Sequence, residues 1–210
     1  MSVISISIVC DGTSDLCLHD LIQWITDTSF PEQSFRISAA REVIPAHGTL
    51  DRRLKKAYQS YEPQIIVCHR DAENISLDER LSEIFSAHER SDIPIPVVPA
   101  VPVRMIESWL LTDESAIRCA ADNKNGKANL NLPRPKNIEQ LNNPKDLLFT
   151  ALKTASNLPP QRLKNFNEHR ARSRVASFIE NFDALKLMPS FQKFENSLIE
   201  TIISLQQVLR

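Results

Sequence analysis

A chain of 210 residues has room for one α/β domain with a helical addition, and its 42% apolar and 24% charged content is that of an ordinary water-soluble globular protein. No apolar run approaches the ~20 residues of a membrane span, and four cysteines (Cys10, Cys17, Cys68, Cys119) without CxxC spacing argue against a disulfide framework or a zinc site. The net charge of −1 hides an asymmetry: residues 1–119 carry 11 Lys/Arg against 18 Asp/Glu, while residues 120–190 carry 12 against 6. An acidic front and a basic back suit a metal-binding core beside a surface for a polyanion.

The start, Met1-Ser2-Val3-Ile4-Ser5, lacks the basic opening of a signal peptide, so a cytoplasmic protein is expected. Val3 to Cys10 predicts a strand that ends at Asp11-Gly12-Thr13-Ser14-Asp15. Gly12 suits a tight turn, and Thr13 or Ser14 can cap a helix over about Ser14–Thr26. Ser34–Ala40 predicts a second strand, and Thr49 precedes a basic amphipathic helix, Leu50–Tyr61, that Pro63 stops. Gln64–His69 is a third strand, apolar through its middle, opening onto Arg70-Asp71-Ala72-Glu73. Ser76 and Glu79 form a capping box for a helix over Leu77–Arg90.

Pro96, Pro99 and Pro102 interrupt the apolar run from Ile95 to Val103, which places a fourth strand, ending near Ala100, at a sheet edge. Met105–Ala120 reads as a helix. Residues 121–137 are a polar loop, the one clear shift in composition. Helical segments follow at Pro144–Ser156, Leu158–Phe166, His169–Phe182 and Ser190–Leu209. Strand–helix alternation followed by helices predicts an α/β domain over 1–120, with a mainly parallel four-stranded sheet flanked by helices, and an α-helical C-terminal extension over 121–210 packed on it.

Two strands of one parallel sheet that deliver carboxylates to the same edge build a hard-oxygen metal site. Asp11 follows the first strand and Asp71 the third. Alternation puts Glu73 on the side of Asp71 if the backbone stays extended. Asp11, Asp71 and Glu73 are therefore one candidate constellation for catalysis and metal binding. The plain alternative is turn chemistry at Gly12, with Asp15 favouring a helix dipole, and a solvated acidic pair at 71 and 73. A single glycine makes neither a P-loop nor a dinucleotide fingerprint. His69-Arg70-Asp71 is not a kinase catalytic loop, because Ser76 stands where that motif needs Asn. Glu107 reads as helix-dipole electrostatics or an extra ligand, and Trp109 as core. His47 reads as a solvated loop histidine. The run Arg162, Lys164, His169, Arg170, Arg172, Arg174 is either a polyanion surface or a solvated helix face, and Phe166 and Phe178 within it fit a core spacing.

Together these residues resemble the TOPRIM-like fold, which pairs an acid–Gly turn after strand one with Asp-x-Asp after a later strand; Asp11-Gly12 and Asp71-Ala72-Glu73 occupy those places. The whole chain is similar to a bacterial TOPRIM-like family of unknown function. The resemblance rests on Asp11-Gly12-Thr13-Ser14-Asp15, Glu107-Ser108-Trp109-Leu110-Leu111-Thr112-Asp113, Pro144-Lys145-Asp146-Leu147 and Pro189-Ser190-Phe191. That family's genes are often found beside ATPases and in phage-defence settings.

The resemblance implies a nuclease dependent on Mg²⁺ or Mn²⁺, acting on DNA or RNA phosphodiesters in anti-phage defence. Asp11, Asp71 and Glu73 would be its ligands and catalytic acids, with Asp15, Arg70 and Glu107 as supporting groups. Arg162, Lys164, Arg170, Arg172 and Arg174 would hold the nucleic acid. This chain departs from the family in having Asp for Glu at position 11 and Glu for Asp at position 73. The alternative is a non-catalytic partner subunit that binds an ATPase or nucleic acid; a nucleotide-binding signalling domain lacks a glycine-rich loop.

Overall fold

The computed structural model describes residues 3–44 and 46–208, apart from the Ser14 side chain. Four strands form one sheet: β1 (Ile4–Val9), β2 (Phe35–Ala39), β3 (Ile65–His69) and β4 (Val97–Ala100). They are all parallel, in the order β2-β1-β3-β4. The proline-bearing β4 lies at an edge, as a strand missing a backbone donor must. The two central strands are buried along their whole length; β3 accordingly reads as an apolar run, while β1 alternates isoleucines with the buried Ser5 and Ser7 before Val9.

Alternation along the strands divides the core in two. Ile4, Ile6 and Ile8 of β1, with Ile65 and Val67 of β3, face α1 (Leu18–Ser29) and the C-terminal helices. Val9, Ile66 and Cys68 face α2 (Leu50–Tyr61) and α3 (Leu77–Ser91). The Ser76–Glu79 capping box closes the start of α3 as expected, with both hydrogen bonds present.

The segment expected as one helix over 105–120 is two, α4 (Glu107–Leu110) and α5 (Glu114–Ala120). Asp113 separates them because its side chain accepts from the Ala116 N–H and so starts a new helix. Beyond it come α6 (Pro144–Ser156), α7 (Pro160–Leu163), α8 (Glu168–Arg174) and α9 (Pro189–Val208). The long helices expected at 158–166 and 169–182 are reduced to α7, α8 and a short 3-10 turn at Ala176–Phe178. Leu209, expected to end the last helix, lies outside the described residues.

One apolar cluster joins the sheet to the C-terminal helices, running from Ile4 and Ile65 through Trp109 to Leu148 and Phe191. Trp109 is its pivot: it stacks on Phe194 (centroids 5.8 Å apart), meets Phe191 edge-on at 5.3 Å, and donates its indole N–H to Ser190 Oγ at 3.1 Å. The chain after residue 120 thus shares the sheet's own core. No helix among the described residues is long and apolar enough to cross a membrane.

Candidate functional site

The C-terminal ends of β1 and β3 open onto two separate charge networks, one on each face of the sheet. On the α2/α3 face, Arg53 donates to Asp11 Oδ1 at 2.7 Å and to the Cys10 carbonyl at 2.6 Å. Arg70 Nε holds the other carboxylate oxygen of Asp11 at 2.8 Å and pairs with Glu83 at 2.9 Å. Glu83 is bridged in turn by Arg80, which lies 3.8 Å from Glu73. Arg53 is only 4% exposed, so Asp11 is the counter-ion that makes its burial tolerable.

On the opposite face lie His69, Asp71, Asp15, Glu107 and Arg172. Burial of His69 is nearly complete, at 1% exposure, and its Nδ1 sits 2.9 Å from the Ala100 carbonyl. A carbonyl can only accept, so Nδ1 carries the proton and Nε2 is turned toward the carboxylates. That nitrogen is 3.4 Å from Asp71 Oδ1 and 3.9 Å from Asp15 Oδ2. Asp15 accepts from the Gly12 N–H at 3.1 Å and lies 3.7 Å from Arg172. Arg172, 3% exposed, donates to Glu107 at 3.1 Å.

Asp71 Oδ1 also accepts from the Ile106 N–H at 2.8 Å, and 29% of the side chain reaches solvent. Burial pushes its pKa from 3.8 up to about 6; His69 and the Ile106 N–H oppose the rise, while Asp15 and Glu107 add to it. Burial likewise pushes the thiols of Cys10, Cys17 and Cys68 up to about 12, so they are core atoms and not nucleophiles.

The structure does not gather Asp11, Asp71 and Glu73 into one constellation. Among the described residues, no group of three or more His, Cys, Asp or Glu is placed to hold a metal ion. Each miss has a physical reason. Alternation sends His69 to one face and Arg70 to the other, so the charge at the end of β3 is split between the networks. Glu73 does not follow Asp71 in an extended chain: its φ is +54°, a left-handed conformation, and its side chain is 66% exposed. Asp11 is neutralised by two guanidinium groups, which repel a cation from it. As for Gly12, its φ of −140° is open to any residue, so the turn does not demand glycine. Gly48, at φ +82°, is where the backbone does demand it.

The expected supporting groups divide in the same way. Asp15 and Glu107 belong with Asp71, whereas Arg70 is committed to Asp11 and Glu83. In the basic run, Arg162, Lys164 and Arg170 are exposed. Arg172 is a correction: it is buried and paired inside the acidic cluster, not presented on a surface. Arg174 is engaged by Asp122 at 2.9 Å and lies over Phe178 at 5.2 Å. His47 is exposed in its loop, as expected.

Beside the acidic cluster lies an open cleft of about 580 Å³. Arg172 and Glu107 line it, together with Lys145 and Phe149 of α6, His169 and Arg170 of α8, and the smaller polar residues Thr13, Asn167 and Ser173. Sequence reasoning missed several participants, Phe149 and Glu83 among them, and three are instructive. His69 was hidden as the last residue of an apolar strand, Arg53 in an amphipathic basic helix, and Lys145 in a segment noted only for its resemblance. A polar residue ending a buried strand was the available signal for His69. A chain of charged contacts from Asp71 through His69, Asp15 and Arg172 to Glu107, 3.1–3.9 Å apart, leads from the strand ends to the cleft. No protein-family model, curated protein or solved structure matches this chain.

Proposed function

We propose that the chain is a phosphodiester hydrolase acting on nucleic acid, with the cationic cleft as its grip on the backbone and the Asp71–His69 pair as its proton carrier. One observation carries this reading: a carboxylate with a pKa near neutrality, backed by a buried histidine, is linked through paired side chains to a cleft lined with Lys145, His169 and Arg170. Polyanion binding follows from the charge of the cleft. In the reaction, Asp71 takes the proton of an attacking water, the water oxygen forms its bond to phosphorus, and the ester P–O bond breaks. The departing oxygen then collects a proton from solvent. Lys145 and Arg170, which line the cleft, hold the flanking phosphates of the strand whose scissile phosphate reaches Asp71.

Mg²⁺ or Mn²⁺, which the resemblance implies, would neutralise the charge that grows on the phosphoryl oxygens and acidify a bound water. Asp11, Asp71 and Glu73 do not fit it as a ligand set, since the charge of Asp11 is neutralised by Arg53 and Arg70 and Glu73 turns away to Arg80, so no step here passes through a metal. The test is cleavage of end-labelled oligonucleotides in chelator, Mg²⁺ and Mn²⁺, by the parent and by Asp71→Asn. Cleavage that vanishes in Asp71→Asn supports the reading; equal cleavage by both sinks it.

The second reading, a non-catalytic subunit that binds nucleic acid or an ATPase, is favoured by the commitment of Asp11 to two arginines. It predicts binding without cleavage in every buffer, and Asp71→Asn then binds as the parent does.

A further inference from the structure

We propose that the cleft receives single-stranded nucleic acid, with one base laid against Phe149 and the flanking phosphates on Lys145 and Arg170. This rests on the polyanion reading above and adds to it the strandedness of the ligand. A cleft built for phosphates alone needs only cations. This one also holds an aromatic pair: Phe149 and His169 meet edge-on, with ring centroids 5.0 Å apart and planes at 79°. The ring of Phe149 is half-buried against the core, which fixes it, while His169 is exposed. Lys145, one helical turn earlier on α6, stands over the Phe149 ring at 5.8 Å from its centroid. That ring face is therefore open to a mobile, solvated ammonium, and a base stacking there would send Lys145 out to a neighbouring phosphate.

Thr13, Asn167 and Ser173 supply uncharged hydrogen-bonding groups around the same cleft. Rings beside cations are what a single strand uses, because its bases expose their faces and its phosphates flank them. A duplex keeps those faces stacked inside the helix and offers nothing for Phe149 to meet.

The test is fluorescence anisotropy in chelator with Asp71→Asn present in every protein, parent included, so that neither metal-assisted nor Asp71-driven cleavage consumes the probe. The probes are a labelled single-stranded oligonucleotide as DNA and as RNA, the corresponding duplexes, and a mononucleotide. The proteins are the parent, Phe149→Leu, Phe149→Trp and His169→Ala. Single strands are expected to bind at least about tenfold tighter than duplexes. Phe149→Leu should weaken single-strand binding by about fivefold or more, leaving duplex binding and the salt slope unchanged, since stacking carries no counterion release. His169→Ala should weaken it in the same direction. Phe149→Trp should bind within about twofold of the parent or better, with its new indole quenched by the single strand.

Duplex binding as tight as single-strand binding overturns the proposal, and so does a mononucleotide that binds as tightly as the oligonucleotide. A folded Phe149→Leu with parental affinity overturns it too. Should Phe149→Leu fail to fold, the indole decides: quenching by single strands supports the proposal, and no quenching overturns it. The DNA and RNA arms identify which sugar is preferred. If nothing binds in a salt-dependent way, the polyanion reading has failed, and with it this inference; tight, salt-dependent duplex binding rejects this inference alone.

Discussion

Replacing Asp71 by Asn should make the protein more stable above neutrality and leave it unchanged in acid. Asp71 holds its proton in the folded state up to about pH 6, against 3.8 in the ordinary case. The unfolded chain releases that proton earlier, so native stability falls as pH climbs between those two values and is flat above them. The interval corresponds to about 3 kcal/mol. It is an upper bound, because 29% of the side chain meets water, which screens the charged form. Asn retains the oxygen that accepts the Ile106 N–H and drops the charge. For a chain of this size 1 kcal/mol moves the melting temperature by about 2–4 °C. Asp71→Asn should therefore melt at the parental temperature near pH 4, and several degrees higher, up to roughly 10 °C, at pH 8. The assay is thermal unfolding of both proteins from pH 4 to 8. A variant that melts clearly lower than the parent at pH 8 would refute the reasoning and make Asp71 a structural partner of His69.

Asp11→Asn should have the opposite sign, destabilising the protein by about 1–3 kcal/mol in urea unfolding at neutral pH, because Arg53 would keep its buried charge among neutral acceptors, the amide oxygen and the Cys10 carbonyl, with no counter-ion. Glu73→Gly should cost no more than about 1 kcal/mol, since the strain released at φ +54° offsets the flexibility gained by the unfolded chain, and it should leave oligonucleotide binding untouched. Ser190→Ala should cost about 1–3 kcal/mol by stranding the buried Trp109 N–H, with unfolding followed by tryptophan fluorescence. Reversing the charge of Lys145 and Arg170 should flatten the salt dependence of binding by about one unit of slope for each phosphate left without its cation, whereas reversing Arg174, engaged by Asp122, should change it little.

The parallel sheet, its edge strand and most helices were legible in the sequence because each is written locally: isoleucine–serine alternation for β1, an apolar run for β3, prolines around β4, a capping box before α3. The split of Met105–Ala120 into two helices was legible only in Asp113, whose capping role competes with helix continuation. The candidate site was half legible. Asp71, Asp15 and Glu107 were singled out, and they do lie together. The grouping of Asp71 with Asp11 and Glu73 failed because it assumed that residues following neighbouring strands keep one side. A single left-handed residue, Glu73, and a long-range partner on α2, Arg53, undid that assumption, and neither announces itself in a local pattern. Arg172 was misread for a related reason. Its position among other basic residues suggested a surface, but the face of α8 that carries it is turned to Asp15 and Glu107, which are distant in the chain.

The most direct test of the central claim is the pH dependence of single-turnover cleavage of a single-stranded oligonucleotide, for the parent and for Asp71→Asn. The parental rate should rise about tenfold per pH unit below about pH 6 and level off above it, as a base with that pKa requires, and Asp71→Asn should bind the strand yet cut it at least about a hundredfold more slowly. Cleavage by Asp71→Asn with the parental rate and pH profile would contradict the account.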